Sequence, residues 1–147
     1  MTHYLILRVI AKLMIGPIML FALYVQFHGD FGPGGGFQAG VIFAAALILY
    51  GLIYDLTALR RFASLELLCS VMAAGWLLYI GVGFAAMLLG GRFLDYDYLA
   101  ADPMAGQHLG ILLIELGVGI TVAATMLVIF QVYAGRKTEL SSGESDR

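Results

Sequence analysis

Four long apolar runs, at roughly 5–27, 37–58, 65–89 and 107–134, restrict the fold of this chain more than any other feature. A helix needs about 20 apolar residues to cross the hydrocarbon core of a bilayer. Inside lipid every backbone N–H and C=O must find an internal partner, which leaves helices and closed barrels. The two-residue alternation of barrel strands is missing here. The expected fold is therefore an all-α integral membrane protein, with four transmembrane helices forming two hairpins. Composition agrees: 61% of residues are hydrophobic and 12% charged, far from the balance of a soluble domain. The first run is too long for a signal-peptide core and has no small-residue cleavage site after it, so it reads as a retained anchor. The single cysteine, Cys69, rules out an intrachain disulfide. A net charge of −2 without a basic patch argues against a nucleic-acid partner.

Basic residues orient the bundle. Arg8, Arg60, Arg61, Arg136 and Lys137 fall on one side of a four-span arrangement. The other side holds Arg92 among Asp30, Asp95, Asp97 and Asp102. The positive-inside rule then puts both termini in the cytoplasm. Phe27, Phe31, Phe93, Tyr96 and Tyr98 fit an outer aromatic belt, and residues 135–147 form a polar cytoplasmic tail, expected to be disordered from Thr138.

The gap between the first two runs is unusual. Residues 28–40 read His-Gly-Asp-Phe-Gly-Pro-Gly-Gly-Gly-Phe-Gln-Ala-Gly. Glycine loses the most backbone entropy on ordering and returns shapes and close approaches closed to other residues. Three in a row, Gly34, Gly35 and Gly36, behind Pro33 and before Phe37, point to a packing or binding task on the outer rim. The stretch lacks the Gly-Lys-Ser/Thr of a phosphate loop and follows no strand, so it is no nucleotide site. Exposed N–H groups at a helix start can hold an anion or a carbonyl oxygen. The cost of glycine favours close packing instead, with Gly36 and Gly40 as a small-residue contact pair. The spacing Pro-x-x-Gly-x-x-x-Gly recurs at Pro103, Gly106 and Gly110, where the chain re-enters the membrane. Duplication and coincidence both account for it.

Three polar residues inside the runs carry the possible chemistry. Glu115 lies about nine residues into the fourth run, ~14 Å at 1.5 Å per residue, near the middle of the core. A carboxylate there is too deep to snorkel and must face protein or water, be neutralised, or be protonated. It either moves a proton or cation, or hydrogen-bonds helices together. His108, two turns earlier on the same face, either feeds Glu115 from the outer side or is an interfacial histidine bonded to water or a loop. Lys12 lies under ~10 Å from the cytoplasmic face and snorkels there, or forms a buried countercharge. His28 and Asp30 make a second outer pair. Asp55 and Glu66 read as surface charges, Glu66 at a helix start where negative charge is favourable. These groups lack metal-ligand spacing, and no nucleophile–base set or cofactor motif stands out, so neither an enzyme nor a cofactor is expected.

Taken together, the stretch from His28 to Val41, the alanines at 44–46, and Ile114-Glu-Leu-Gly-Val-Gly-Ile-Thr-Val122 resemble the MnhB/MrpB family, the B-type components of the multisubunit Mrp-type (Mnh-type) sodium/proton antiporters. The resemblance covers both hairpins. It implies a small subunit of a complex exchanging sodium for protons across a bacterial cytoplasmic membrane. Its partners would be large complex-I-like antiporter subunits and other small membrane subunits, within a lipid bilayer. The principal proton channels would lie in the large subunits, while this one scaffolds or lines part of an ion path. Related modules occur in membrane-bound hydrogenases, so a hydrogenase-like host and a purely structural adaptor remain the alternatives.

Overall fold

The computed structural model describes residues 2–29 and 33–144, with side chains placed for 5–29 and 33–136. Asp30, Phe31 and the side chain of Lys137 lie outside that set. Helix α1 spans Thr2–Phe27, α2 Gly36–Tyr54, α3 Leu56–Phe62, α4 Leu65–Leu88 and α5 Pro103–Glu144, with a 3-10 turn at Tyr96–Leu99 before α5. Among the described residues four of these helices, α1, α2, α4 and α5, are long and apolar enough to cross a membrane.

The second span is shorter than its apolar run implies, because Asp55 breaks it. Asp55 adopts φ 90°, and its Oδ1 accepts a 2.7 Å hydrogen bond from the Leu56 N–H. Aspartate is among the few residues that enter positive φ with any frequency, and a carboxylate at the N-cap satisfies an orphan amide of the new helix. The residue that reads as a surface charge is thus also the joint between α2 and α3. Ser64 caps α4 in the same way, accepting from the Leu67 N–H at 3.2 Å. Helix α5 starts at Pro103, four residues before the expected boundary, where a missing N–H costs nothing. At its other end it continues as backbone helix to Glu144, beyond Thr138, where disorder was expected. Once a helix is nucleated, further residues add cheaply.

The spans form a row in the order α1, α2, α5, α4. Glycine sets the spacing along it. A methyl placed on Gly40 would lie 2.6 Å from the Gly119 carbonyl oxygen, and one on Gly117 would lie 2.9 Å from the Gly75 carbonyl oxygen. Backbones therefore meet directly, as small residues allow in lipid. Contacts of Gly36 with Glu115, Gly40 with Gly119 and Gly51 with Phe130 advance together, so α2 and α5 run parallel. Helix α4 runs antiparallel to α5, with Thr125 Oγ1 donating to Met72 Sδ at 3.2 Å.

One end of the row is plugged by α3. Leu59 is fully buried beside Ala44, Ala63, Leu68, Ala124 and Leu127. Arg60 donates to the Gln131 carbonyl at 3.3 Å, and the buried Gln131 amide donates to the Ala63 carbonyl at 2.7 Å. Arg8 lies 5.8 Å from the ring centre of Tyr54 at the same end. At the opposite end the α4–α5 loop inserts aromatic rings into glycine notches, Phe93 at Gly83 and Tyr96 at Gly110. Of the expected aromatic belt, Phe27 is well exposed, whereas Phe93 and Tyr96 brace this loop. Burial, with a smaller contribution from Tyr79, raises the Tyr96 phenol above its ordinary value.

Candidate functional site

The glycine loop and Glu115, two separate features in the sequence, occupy one place. Parallel packing of α2 and α5 brings the start of α2 against Glu115. A methyl on Gly29 would stand 2.7 Å from Glu115 Oε2 and 2.8 Å from Oε1, and one on Gly35 would stand 3.0 Å from Oε1. Both carboxylate oxygens therefore rest against bare backbone. Gly36 lies directly against the main-chain carbonyl of Glu115.

Each glycine of the triplet has its own reason. Gly34 faces the Val25 carbonyl, 2.8 Å from where a methyl would sit. The Gly35 N–H donates to that carbonyl at 3.3 Å. Gly35 also adopts φ 118°, ψ 173°, a region that is essentially glycine-only. Gly36 is excluded from bearing a side chain by α5 itself. Pro33 is exposed at the head of the loop, and Phe37 is exposed while Gly40 is buried on the α5 side. The loop glycines lie against backbone of α1 and α5 and against the Glu115 carboxylate.

Depth changes as well. Counted from Pro103, Glu115 lies about 18 Å along α5, roughly a third of the way along the Pro103–Arg136 span. Beside α1 and α2 it is a rim residue, level with the loop that joins them. The first three turns of α5 rise past the α1–α2 hairpin, so the cradle is recessed beside the taller α4–α5 hairpin. Glu115 is half-buried there and is not without an interacting partner.

The other sequence candidates are not gathered at this place. His108 is exposed toward the start of α5, lining a shallow depression with Asp97, Asp102 and Gln107. Gln107 donates to Asp97 Oδ1 at 2.7 Å. Lys12 is exposed on α1, about 21 Å along that helix from Gln26. His28 lies beside the cradle and stacks on Tyr24, ring centres 4.9 Å apart.

Gln26 escaped the sequence reading. It is 5% exposed, and its Oε1 would be 2.6 Å from a methyl on Gly119, one turn below Glu115. A glutamine inside an apolar run was the available signal, since a polar side chain in lipid needs a partner.

A family profile described as a domain related to the MnhB subunit of Na+/H+ antiporter matches residues 6–128. The chain belongs to this family. It is 30% identical over 135 residues to the B-type Na(+)/H(+) antiporter subunit of Bacillus subtilis, covering 85% of this chain and 94% of the relative. It is 28% identical over 131 residues to the protein of the same description from Alkalihalophilus pseudofirmus, covering 82% and 90%. With its four apolar helices, the chain is a multi-pass bacterial membrane protein. The matched region contains both the glycine loop and Glu115.

Proposed function

We propose that this chain is the small membrane subunit of a multisubunit sodium/proton antiporter, and that Glu115 in its glycine cradle is an ion-path carboxylate. One observation carries the second part: both Glu115 oxygens abut Gly29 and Gly35, where no side chain intervenes. A carboxylate in the membrane is costly, by about 2.5–3.5 kcal/mol on insertion scales. Joining helices alone would be served as well by an uncharged amide, at lower cost. A titratable acid adds the ability to exchange a proton for a cation. Backbone carbonyls such as that of Val25, close to the loop, are the hard oxygen donors that a dehydrated sodium ion prefers over nitrogen or sulfur.

The recessed position gives the carboxylate a role at the mouth of a path rather than along its whole length. The remaining path then runs through partner subunits, large complex-I-like ones among them. On the positive-inside rule the Arg8, Arg60 and Arg136 end faces the cytoplasm, so the cradle faces outward. This chain works as a transport component and not as an enzyme. His108 and Lys12 stay outside the proposed site.

Everted membrane vesicles carrying the whole complex test this reading. Glu115→Gln and Glu115→Ala should abolish sodium-dependent proton exchange while the complex remains intact on a native gel. Exchange that survives both substitutions, or loss of the complex itself in Glu115→Gln, returns Glu115 to a structural role.

A further inference from the structure

Gln38 is the one side chain of α2, Gly36–Tyr54, that carries an amide or a charge. It stands at the third helical position behind the N-cap Gly35. A glutamine there ordinarily reaches back to accept from the N-cap N–H, half of a capping box. In this chain that N–H is already engaged, donating to the Val25 carbonyl at 3.3 Å, and no side chain caps α2. The Gln38 oxygen lies over Gly35 all the same. Glu115 Oε1 and Gln38 Oε1 stand 3.0 and 3.6 Å from one point, the place of a methyl on Gly35, and hence within 6.6 Å of each other. Gln38 is exposed and Glu115 half-buried, so the amide forms the outer side of the pair.

An ionised carboxylate and an amide oxygen are both acceptors, so neither satisfies the other. Two such oxygens at one gap call for a donor or a cation between them. Carboxylates, glutamine carbonyls and water are the ligands that hard cations take. A neutral amide adds an oxygen without adding charge. That suits a transported monovalent ion, which must bind well enough to enter and weakly enough to leave. Bare backbone at Gly35 leaves the space over it to these two oxygens.

We infer that Gln38 Oε1 is a second ligand, beside the Glu115 carboxylate, for the sodium ion that the complex transports. The inference rests on Glu115 being an ion-path carboxylate, and its test separates the two claims. Everted vesicles carrying the whole complex are assayed for sodium-dependent proton exchange over a range of sodium concentrations at one pH. Gln38→Leu should raise the apparent KM for sodium about tenfold, the worth of one contact to a charged partner. The maximal rate should be unchanged, the signature of lost binding alone. Gln38→Glu keeps an oxygen in place and should leave KM at or below that of the wild type. Where Gln38→Leu fails to assemble, Gln38→Ala is read in its place. An unchanged KM overturns the inference. So does an equal rise in Gln38→Glu, which makes the amide a hydrogen-bond donor that positions Glu115. A fall in maximal rate at constant KM overturns it as well, as does loss of the complex on a native gel in both Gln38→Leu and Gln38→Ala. If Glu115→Gln stops exchange while Gln38→Leu changes nothing, only the second ligand falls. If exchange survives Glu115→Gln, both claims fall.

Discussion

Replacing Gly35 by alanine tests the cradle most sharply, because the two costs it imposes can be separated. The first is backbone strain. At φ 118°, ψ 173° a residue with a Cβ costs on the order of 1–3 kcal/mol, or roughly a fivefold to 150-fold shift away from the native loop. The second is contact: the new methyl would lie 3.0 Å from Glu115 Oε1, so the carboxylate must move by a few tenths of an ångström. A carboxylate at the end of a flexible side chain yields more easily than backbone does. The expected result is a complex that assembles but exchanges sodium for protons at least fivefold more slowly in everted vesicles. Gly90→Ala is the control. Gly90 also has positive φ, at 96°, but nothing lies within 4 Å of its added methyl. It should destabilise the α4–α5 loop without touching Glu115, lowering the melting temperature while leaving the exchange rate of folded complex intact. Normal exchange in Gly35→Ala, or equal loss of exchange in Gly90→Ala, would refute the cradle argument.

Further outcomes follow from the same geometry. Gly75→Leu should prevent α4 from docking on α5, since its first side-chain carbon would already sit 2.9 Å from the Gly117 carbonyl oxygen; the yield of complex on a native gel should collapse. Gly81→Leu, with open space around it, should leave that yield unchanged. Asp55→Ala loses the N-cap of α3 and should cost about 0.5–2 kcal/mol, whereas Asp55→Gly, which suits φ 90°, should cost only a few tenths; thermal melts in one detergent give the comparison. Gln131→Leu strands the Ala63 carbonyl in the α3 plug and should cost about 1–3 kcal/mol, seen as a lower midpoint in the same assay. Equal melts for wild type and Gln131→Leu would show that the plug does not depend on this bond.

The helices were legible in the sequence because lipid leaves the backbone few choices. A run of about twenty apolar residues must satisfy its own amides, so the number of spans and their approximate bounds follow from hydropathy. Boundaries drifted where a single residue overrode the run, as Asp55 does at the end of α2 by taking positive φ and capping α3. Glu115 stood out because a carboxylate in an apolar run is expensive wherever it lies. The glycine triplet stood out because its entropy cost needs a return.

Tertiary packing decided what joined them. Nothing in the order of residues says that α2 lies parallel to α5 with Gly36 against Glu115, since that register depends on which glycines meet which carbonyls across the interface. Nor does spacing along one helix give depth: Glu115 lies three turns inside α5 and is still a rim residue beside the shorter α1–α2 hairpin. The chain alone determined that it has four runs able to cross a membrane, one acid inside the last of them and one costly loop. Only the packed row, by letting backbones touch where side chains are missing, brought the acid and the loop together.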